Sequence, residues 1–254
     1  MAFTIPMRRN MKNKKTVPLL VLLAFSIVLS PAAPAAKDDS AKKGVRTIYL
    51  IRHGQYDQAD TRDEFSGRGL VPLGIAQARL LAARLRAMPV EFTSLTSSTM
   101  TRARQTAVVI HQEFPRLELK PSELICECTP PTWRQDVMAE VKAAEAEACV
   151  KNIEQFFREW FIPSPDAGDR HELVVCHGNI IRYLVAKALQ VDTMSWLQMG
   201  ISNCSLTVIR VLPDGKMKLD AFGDYGHIPE NMRTYIGAGD ESKELVIPPD
   251  PRQR

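Results

Sequence analysis

Two short segments of this chain join a histidine to groups that bind anions. Arg52-His53-Gly54 ends the run Thr47-Ile48-Tyr49-Leu50-Ile51, and His177-Gly178-Asn179 ends the run Glu172-Leu173-Val174-Val175-Cys176. A single Arg-His-Gly tripeptide predicts little more than a capped turn. The same order of strand, His-Gly and loop or helix, met twice, predicts two histidines delivered to one crevice. Arg102 adds a further cation. It follows Thr96-Ser97-Ser98-Thr99-Met100-Thr101, where a strand runs into a helix N-terminus, and such ends offer unpaired N–H groups and a positive dipole to an anion. Arg104, two residues on, is read as a surface residue.

This set suits phosphoryl transfer, which needs a nucleophile in line with the leaving oxygen and positive charge around the equatorial oxygens. Arg52, Arg102 and a protonated His177 supply that charge without a metal or cofactor. His53 must be neutral to attack, so its other ring nitrogen is expected to donate to a carbonyl that fixes the tautomer. The product is a covalent phosphohistidine, which divides one difficult step into two. A general acid is then needed for the leaving alkoxide. Glu127, in Cys126-Glu127-Cys128-Thr129-Pro130-Pro131, fits if burial raises its pKa; Glu123 is the competing candidate, and a solvated loop carboxylate is the ordinary reading of either.

The elements that must hold these groups follow from the apolar pattern. Runs without clean alternation predict strands covered on both faces, in a sheet with helices on either side. Ligands of such sheets lie beyond the carboxyl ends of strands, where Gly54 lets the backbone turn and approach closely. Pro72 starts a helix that runs to about Met88, and the polar segment Asp57 to Gly69 before it is a loop over the mouth of the site. Phe92 to Leu95 reads as a second strand, with short extended pieces at Leu117 to Leu119 and Leu124-Ile125. One long helix is expected over Val137 to Phe161, its core stripe being Cys149, Ile153, Phe156 and Trp160. The loop from Trp133 to Asp136 forms part of a rim. A helix opens after His177 and runs to about Leu189. Ser205 to Leu212 and Met217 to Phe222 pair as a hairpin about Pro213-Asp214-Gly215-Lys216, with His227 peripheral.

A chain of 254 residues, 45% hydrophobic and 24% charged, has room for one sizeable domain with appendages. Arg8, Arg9, Lys12, Lys14 and Lys15 all lie before Ala36 in a segment without acidic residues, so the formal charge of +4 becomes −1 for the remainder. The folded part therefore lacks the cationic surface that nucleic acid requires. The leader runs from that basic region through the apolar stretch Val17 to Leu29 to Ser30-Pro31-Ala32-Ala33-Pro34-Ala35-Ala36. This order predicts a signal peptide and an exported, periplasmic or secreted protein, with an uncleaved membrane anchor as the alternative. Residues 37–45 read as a linker, 46–236 as the domain and 237–254 as a disordered tail. The five cysteines show no zinc spacing. Cys126 and Cys128 are too close for an easy bridge with each other, and all five are read as buried, inert thiols.

Leu50-Ile51-Arg52-His53-Gly54, Leu70 through Gly74 to Gln77-Ala78, Ser97-Ser98-Thr99-Met100-Thr101-Arg102-Ala103 and Val175-Cys176-His177-Gly178-Asn179 occur in this order. Together, over about Arg46 to Pro229, they resemble the histidine phosphatase (phosphoglycerate mutase-like) superfamily. The resemblance implies a three-layer α/β/α sandwich on a mainly parallel sheet. It implies His53 as the phosphorylated nucleophile, Arg52, Arg102 and His177 around the phosphoryl group, Gly54, Gln55 and Asn179 as substrate contacts, and Glu127 as acid and base. Gln55-Tyr56, Asn179-Ile180-Ile181-Arg182-Tyr183 and Pro213-Asp214-Gly215 are most similar to the superfamily's mitochondrial serine/threonine protein phosphatase branch, from which Val71 and the export-type leader depart. The tryptophan-asparagine segment and the longer insertion of the mutases are not evident. The implied activity is that of a metal-independent phosphomonoesterase on phosphoserine or phosphothreonine proteins. The alternatives are a phosphatase for small phosphate esters and an inactive module that docks phosphorylated partners.

Overall fold

The computed structural model describes residues 43–235, which lie within the unit Asp38–Arg254. The leader over residues 1–36, its proposed membrane anchor and the tail over 237–254 lie outside the described residues. Six strands, β1 (Arg46–Arg52), β2 (Ser94–Ser98), β3 (Leu119–Ser122), β4 (Arg170–Cys176), β5 (Leu206–Val211) and β6 (Met217–Asp224), form one sheet in the order β3-β2-β4-β1-β5-β6. The first four are parallel; β5 and β6 join the β1 edge as an antiparallel hairpin. The mainly parallel sandwich is thus as expected.

The uninterrupted apolar run of β1 explains the two helical layers. Ile48 and Leu50 point into one core, Tyr49 and Ile51 into the other. The helices are α1 (Pro72–Arg86), α2 (Thr101–His111), the single turn α3 (Gln135–Met138), α4 (Ala143–Trp160) and α5 (Gly178–Ala188). Helices α1 and α2 cover Tyr49 and Ile51 with Leu81, Leu85, Ala103 and Ile110; α4 and α5 cover Ile48 and Leu50 with Ile153, Phe156, Ile181 and Leu184. The chain therefore leaves adjacent strands β1 and β4 toward opposite faces, and a crevice opens between their carboxyl ends.

Glycine has a definite use at that crevice. A Cβ on Gly74 would stand 1.9 Å from the carbonyl oxygen of Gln55, and one on Gly54 would stand 2.6 Å from that of Gly74. The turn after β1 and the first turn of α1 thus pack backbone against backbone, which only glycine permits. Pro72 occupies the start of α1, as expected.

Three local expectations are corrected. The helix expected over Val137 to Phe161 is broken: α3 winds into a turn at Ala139 to Val141, and Lys142 is extended before α4 begins. Its buried stripe starts only at Ala146, so no apolar anchor holds the earlier turns in register. The second concerns the extended segments: the strand expected at Phe92 to Leu95 lies at Ser94–Ser98, and Glu123–Ile125 forms a 3₁₀ turn instead of an extended piece.

The third concerns sulfur. Cys128 and Cys149 form a disulfide across a separation of 21 residues, joining the segment after Glu127 to α4. Cys126, Cys176 and Cys204 are thiols, the last two buried. A loop of this size restricts the unfolded chain enough to stabilise the fold by about 3 kcal/mol. Cys149→Ala, or reduction of the wild type, should lower the denaturant midpoint accordingly, whereas the substituted chain should ignore reductant. Equal midpoints for oxidised and reduced wild type would contradict this.

Candidate active site

The turn after β1 is fixed from several sides. The Gly54 amide donates to Thr106 Oγ1 at 3.0 Å, the Gln55 amide to Gln77 Oε1 at 2.9 Å, and Asn203 Nδ2 to the His53 carbonyl at 3.0 Å. All three side chains come from other elements and are buried. They hold His53 at the floor of a cavity of about 520 Å³ lined by Arg52, Tyr56, Glu64, Arg102, Glu127 and Arg182, among others.

His53 Nδ1 lies 2.8 Å from the Gly54 carbonyl oxygen. A carbonyl can only accept, so Nδ1 carries the proton and Nε2 keeps its lone pair. Burial, then His177, Arg102 and Arg52 in turn, push the His53 pKa well below its ordinary value of 6.5, against the Gly54 bond that raises it. The expected neutral tautomer is thereby fixed. Arg102 Nε donates to this Nε2 at 3.2 Å, and the Arg102 guanidinium stacks over Tyr56 at 4.7 Å.

His177 caps α5, its ring centroid 5.1 Å from that of His53. The expectation of a protonated His177 needs correction. Burial first, then Arg102 and Arg52, lower its pKa well below 6.5, which favours a neutral imidazole. Ser98 Oγ lies 2.9 Å from His177 Nε2 and already accepts from the Met100 amide. Where Ser98 gives its proton to Nε2 instead of to Cys126 Sγ at 3.5 Å, the buried Nδ1, without a partner among the described residues, is an N–H donor.

Arg52 is 2% exposed. Its Nη1 donates to the Ile201 carbonyl at 2.6 Å, while Nε and Nη2 are buried without partners. Burial lowers its pKa to about 10, which leaves it charged at neutral pH. Two unmatched donors on a buried cation demand an anion.

The two candidate carboxyls separate cleanly: Glu123 is exposed, and Glu127 lines the cavity with Oε1 buried and unpartnered. Burial raises the Glu127 pKa, outweighing Arg102, Arg52, Arg182 and the Asn179 backbone N–H, which all lower it. Asn179 lines the cavity and supports this segment through Nδ2, which donates to the Cys128 carbonyl at 2.9 Å. Gly54 and Gln55, expected to touch substrate, instead stand behind the nucleophile, because their close packing on α1 removes them from the cavity wall.

Several residues were not singled out by sequence. Arg182 stacks over Trp196 at 4.8 Å and bonds Asn179 Oδ1 at 2.7 Å. Its position, one turn into the helix that opens after His177, was a usable signal. Ser98 and Gln77 lay within the motifs of the resemblance but were given no role; Glu64, Arg68 and the buried supports Thr106 and Asn203 had no signal.

The family model described as Histidine phosphatase superfamily (branch 1) matches residues 48–163 and 162–224. The chain belongs to the histidine phosphatase superfamily. It is therefore a phosphatase by family, and its relatives agree. It is 38% identical over 207 residues to the mitochondrial serine/threonine-protein phosphatase Pgam5 of Caenorhabditis elegans, covering 78% of this chain and 69% of that one. Against the Homo sapiens protein of the same name it is 32% identical over 212 residues, 79% and 70% of the two chains. Among solved structures, phosphoglycerate mutase from Plasmodium falciparum matches with a TM-score of 0.52 at 26% identity, covering 74% and 96%. That from Bacillus anthracis matches at 0.55 and 19%, over 74% and 96%, a likeness of fold alone.

The expectation of an exported phosphatase is overturned by these relatives, which are named as mitochondrial. A basic, acid-free leader is common to export signals and mitochondrial transit peptides, so its charge pattern did not distinguish them.

The two histidines of this phosphatase should titrate below pH 6.5 in imidazole NMR spectra of the empty chain. Orthophosphate should raise the His177 midpoint, since a nearby dianion favours the imidazolium. A His53 midpoint at or above 6.5 would contradict the neutral nucleophile.

Proposed function

We propose that this chain dephosphorylates phosphoserine and phosphothreonine residues of proteins through a phosphohistidine at His53, within the domain at 46–236. The observation that carries the chemistry is the pairing of a tautomer-fixed His53 with the unmatched donors of buried Arg52. Arg52 Nε and Nη2, Arg102 and the Nδ1–H of His177 would hold the equatorial oxygens. The incoming phosphoryl group draws Arg102 off Nε2, which then attacks phosphorus as the seryl or threonyl oxygen leaves. Glu127, whose pKa burial raises, gives its proton to that oxygen. As carboxylate it next takes a proton from the water that cleaves the N–P bond, releasing orthophosphate and restoring the acid.

The protein substrate class is supported by the relatives named as serine/threonine-protein phosphatases, which align over more than three quarters of this chain. The same names support a mitochondrial address for the leader.

The test is hydrolysis of phosphoserine and phosphothreonine peptides beside small phosphate esters in EDTA. His53→Ala should abolish turnover, and Glu127→Gln should lower it about 100-fold or more, the usual scale for a general acid. Glu123→Gln should leave it within about 2-fold, as for an exposed side chain away from the chemistry. Activity confined to small esters would overturn the substrate class; activity surviving in His53→Ala would overturn the nucleophile.

A further inference from the structure

The loop between β1 and α1 brings a carboxylate into the phosphate site. Glu64 accepts from Arg68 Nη1 at 2.7 Å through Oε1, and its Oε2 is paired with Nη1 of Arg102. One carboxylate thus bridges two arginines, one of them the guanidinium that also holds His53 Nε2.

This placement is built into the loop. Arg68 has φ 52, a left-handed conformation unfavourable to a side chain with a Cβ. It is held there by its amide, which donates to the Asp60 carboxylate at 2.8 Å, and by the Asp57 amide, which donates to the Gly69 carbonyl at 2.9 Å. Glu64 is itself tied to α2, because its carbonyl accepts from the Thr101 amide at 2.9 Å. A strained residue secured on both sides and directed at a ligand cavity marks a constraint maintained for that cavity.

A carboxylate and a phosphate monoester make the same charge-assisted bond to a guanidinium. Arg102 Nη1 cannot serve both fully. We propose that Glu64 is a specificity-determining residue that occupies Arg102 in the empty site and then stands beside the bound ester as a fixed negative charge, disfavouring substrates with a second anion near the phosphorus. This rests on the phosphomonoesterase reading and narrows its substrate class. A phosphoserine within a peptide carries its phosphate on a neutral backbone and suits such a site. A small ester with a neighbouring carboxylate does not.

Inorganic phosphate titrated calorimetrically into the full chain tests the first half. Glu64→Gln should bind it about 5- to 10-fold more tightly, the scale of one partly buried charge pair. Glu64→Ala, which removes the side chain as well as its charge, should move the Kd the same way. Steady-state kinetics with phenyl phosphate and 3-phosphoglycerate tests the second half. In Glu64→Gln the kcat/KM for 3-phosphoglycerate should rise about 5-fold or more relative to phenyl phosphate, through KM. Phosphate binding unchanged or weakened in both variants would overturn the proposal, as would an unmoved selectivity ratio or a common fall in kcat. A wild type that hydrolyses no ester while the variants still bind phosphate more tightly would strike the phosphatase reading and spare the competition between Glu64 and phosphate.

Discussion

A guanidinium kept out of water with two of its donors unmatched is the constraint on which the rest of this structure depends. Arg52 ends β1 where that strand lies between parallel β4 and antiparallel β5, and among the described residues its side chain hydrogen-bonds only the Ile201 carbonyl. Burying an ion is costly unless something opposes its charge. The protein tolerates that cost because two packed cores, one on each face of the sheet, fix the strand that carries it. The crevice is therefore suited to an anion, and the elements around it can be understood as means of keeping it so.

Burial and charge act on the neighbouring groups in opposite senses, and this divides the chemical labour. For His53 and His177, loss of water and the nearby arginines both disfavour the imidazolium, so the two rings are driven neutral together. For Glu127 the arginines favour the carboxylate while burial favours the acid, and burial is the larger effect. One pocket thus lowers the proton affinity of His53 and raises that of Glu127, the direction of separation that acid-base catalysis requires.

Much of this was legible in the sequence because it depends on local order. Strand, histidine and glycine in succession located both His53 and His177, and hydroxyl-rich residues before a helix located Arg102. Glu127 could be named as the better of two carboxyls, but only folding shows Glu123 exposed. What escaped depends on distant partners. The bridge from Cys128 to Cys149 requires α4 to cross beneath the acid's segment. The neutral state of His177 depends on arginines from two other elements, and the break before α4 on where its core stripe begins. Glu64 reaches Arg102 from a loop in which Arg68 bonds Asp60 in a conformation its residue type does not predict.

The site also separates parts that must stay from parts that must move. Glu127 is followed by a disulfide to α4, and its segment is held by Asn179 Nδ2 on the Cys128 carbonyl. His53 is held by Gly54, Asn203 and the packing of Gly54 on Gly74. These restraints are covalent or use buried backbone groups, and an entering phosphoryl group need disturb none of them. Arg102 is different: its charged contacts are side-chain pairings with His53 and Glu64, which an incoming dianion can exchange without altering the fold. On the mechanism proposed above, His53 and Glu127 can therefore keep their geometry through both half-reactions, while Arg102 changes partners to admit the substrate and to release orthophosphate.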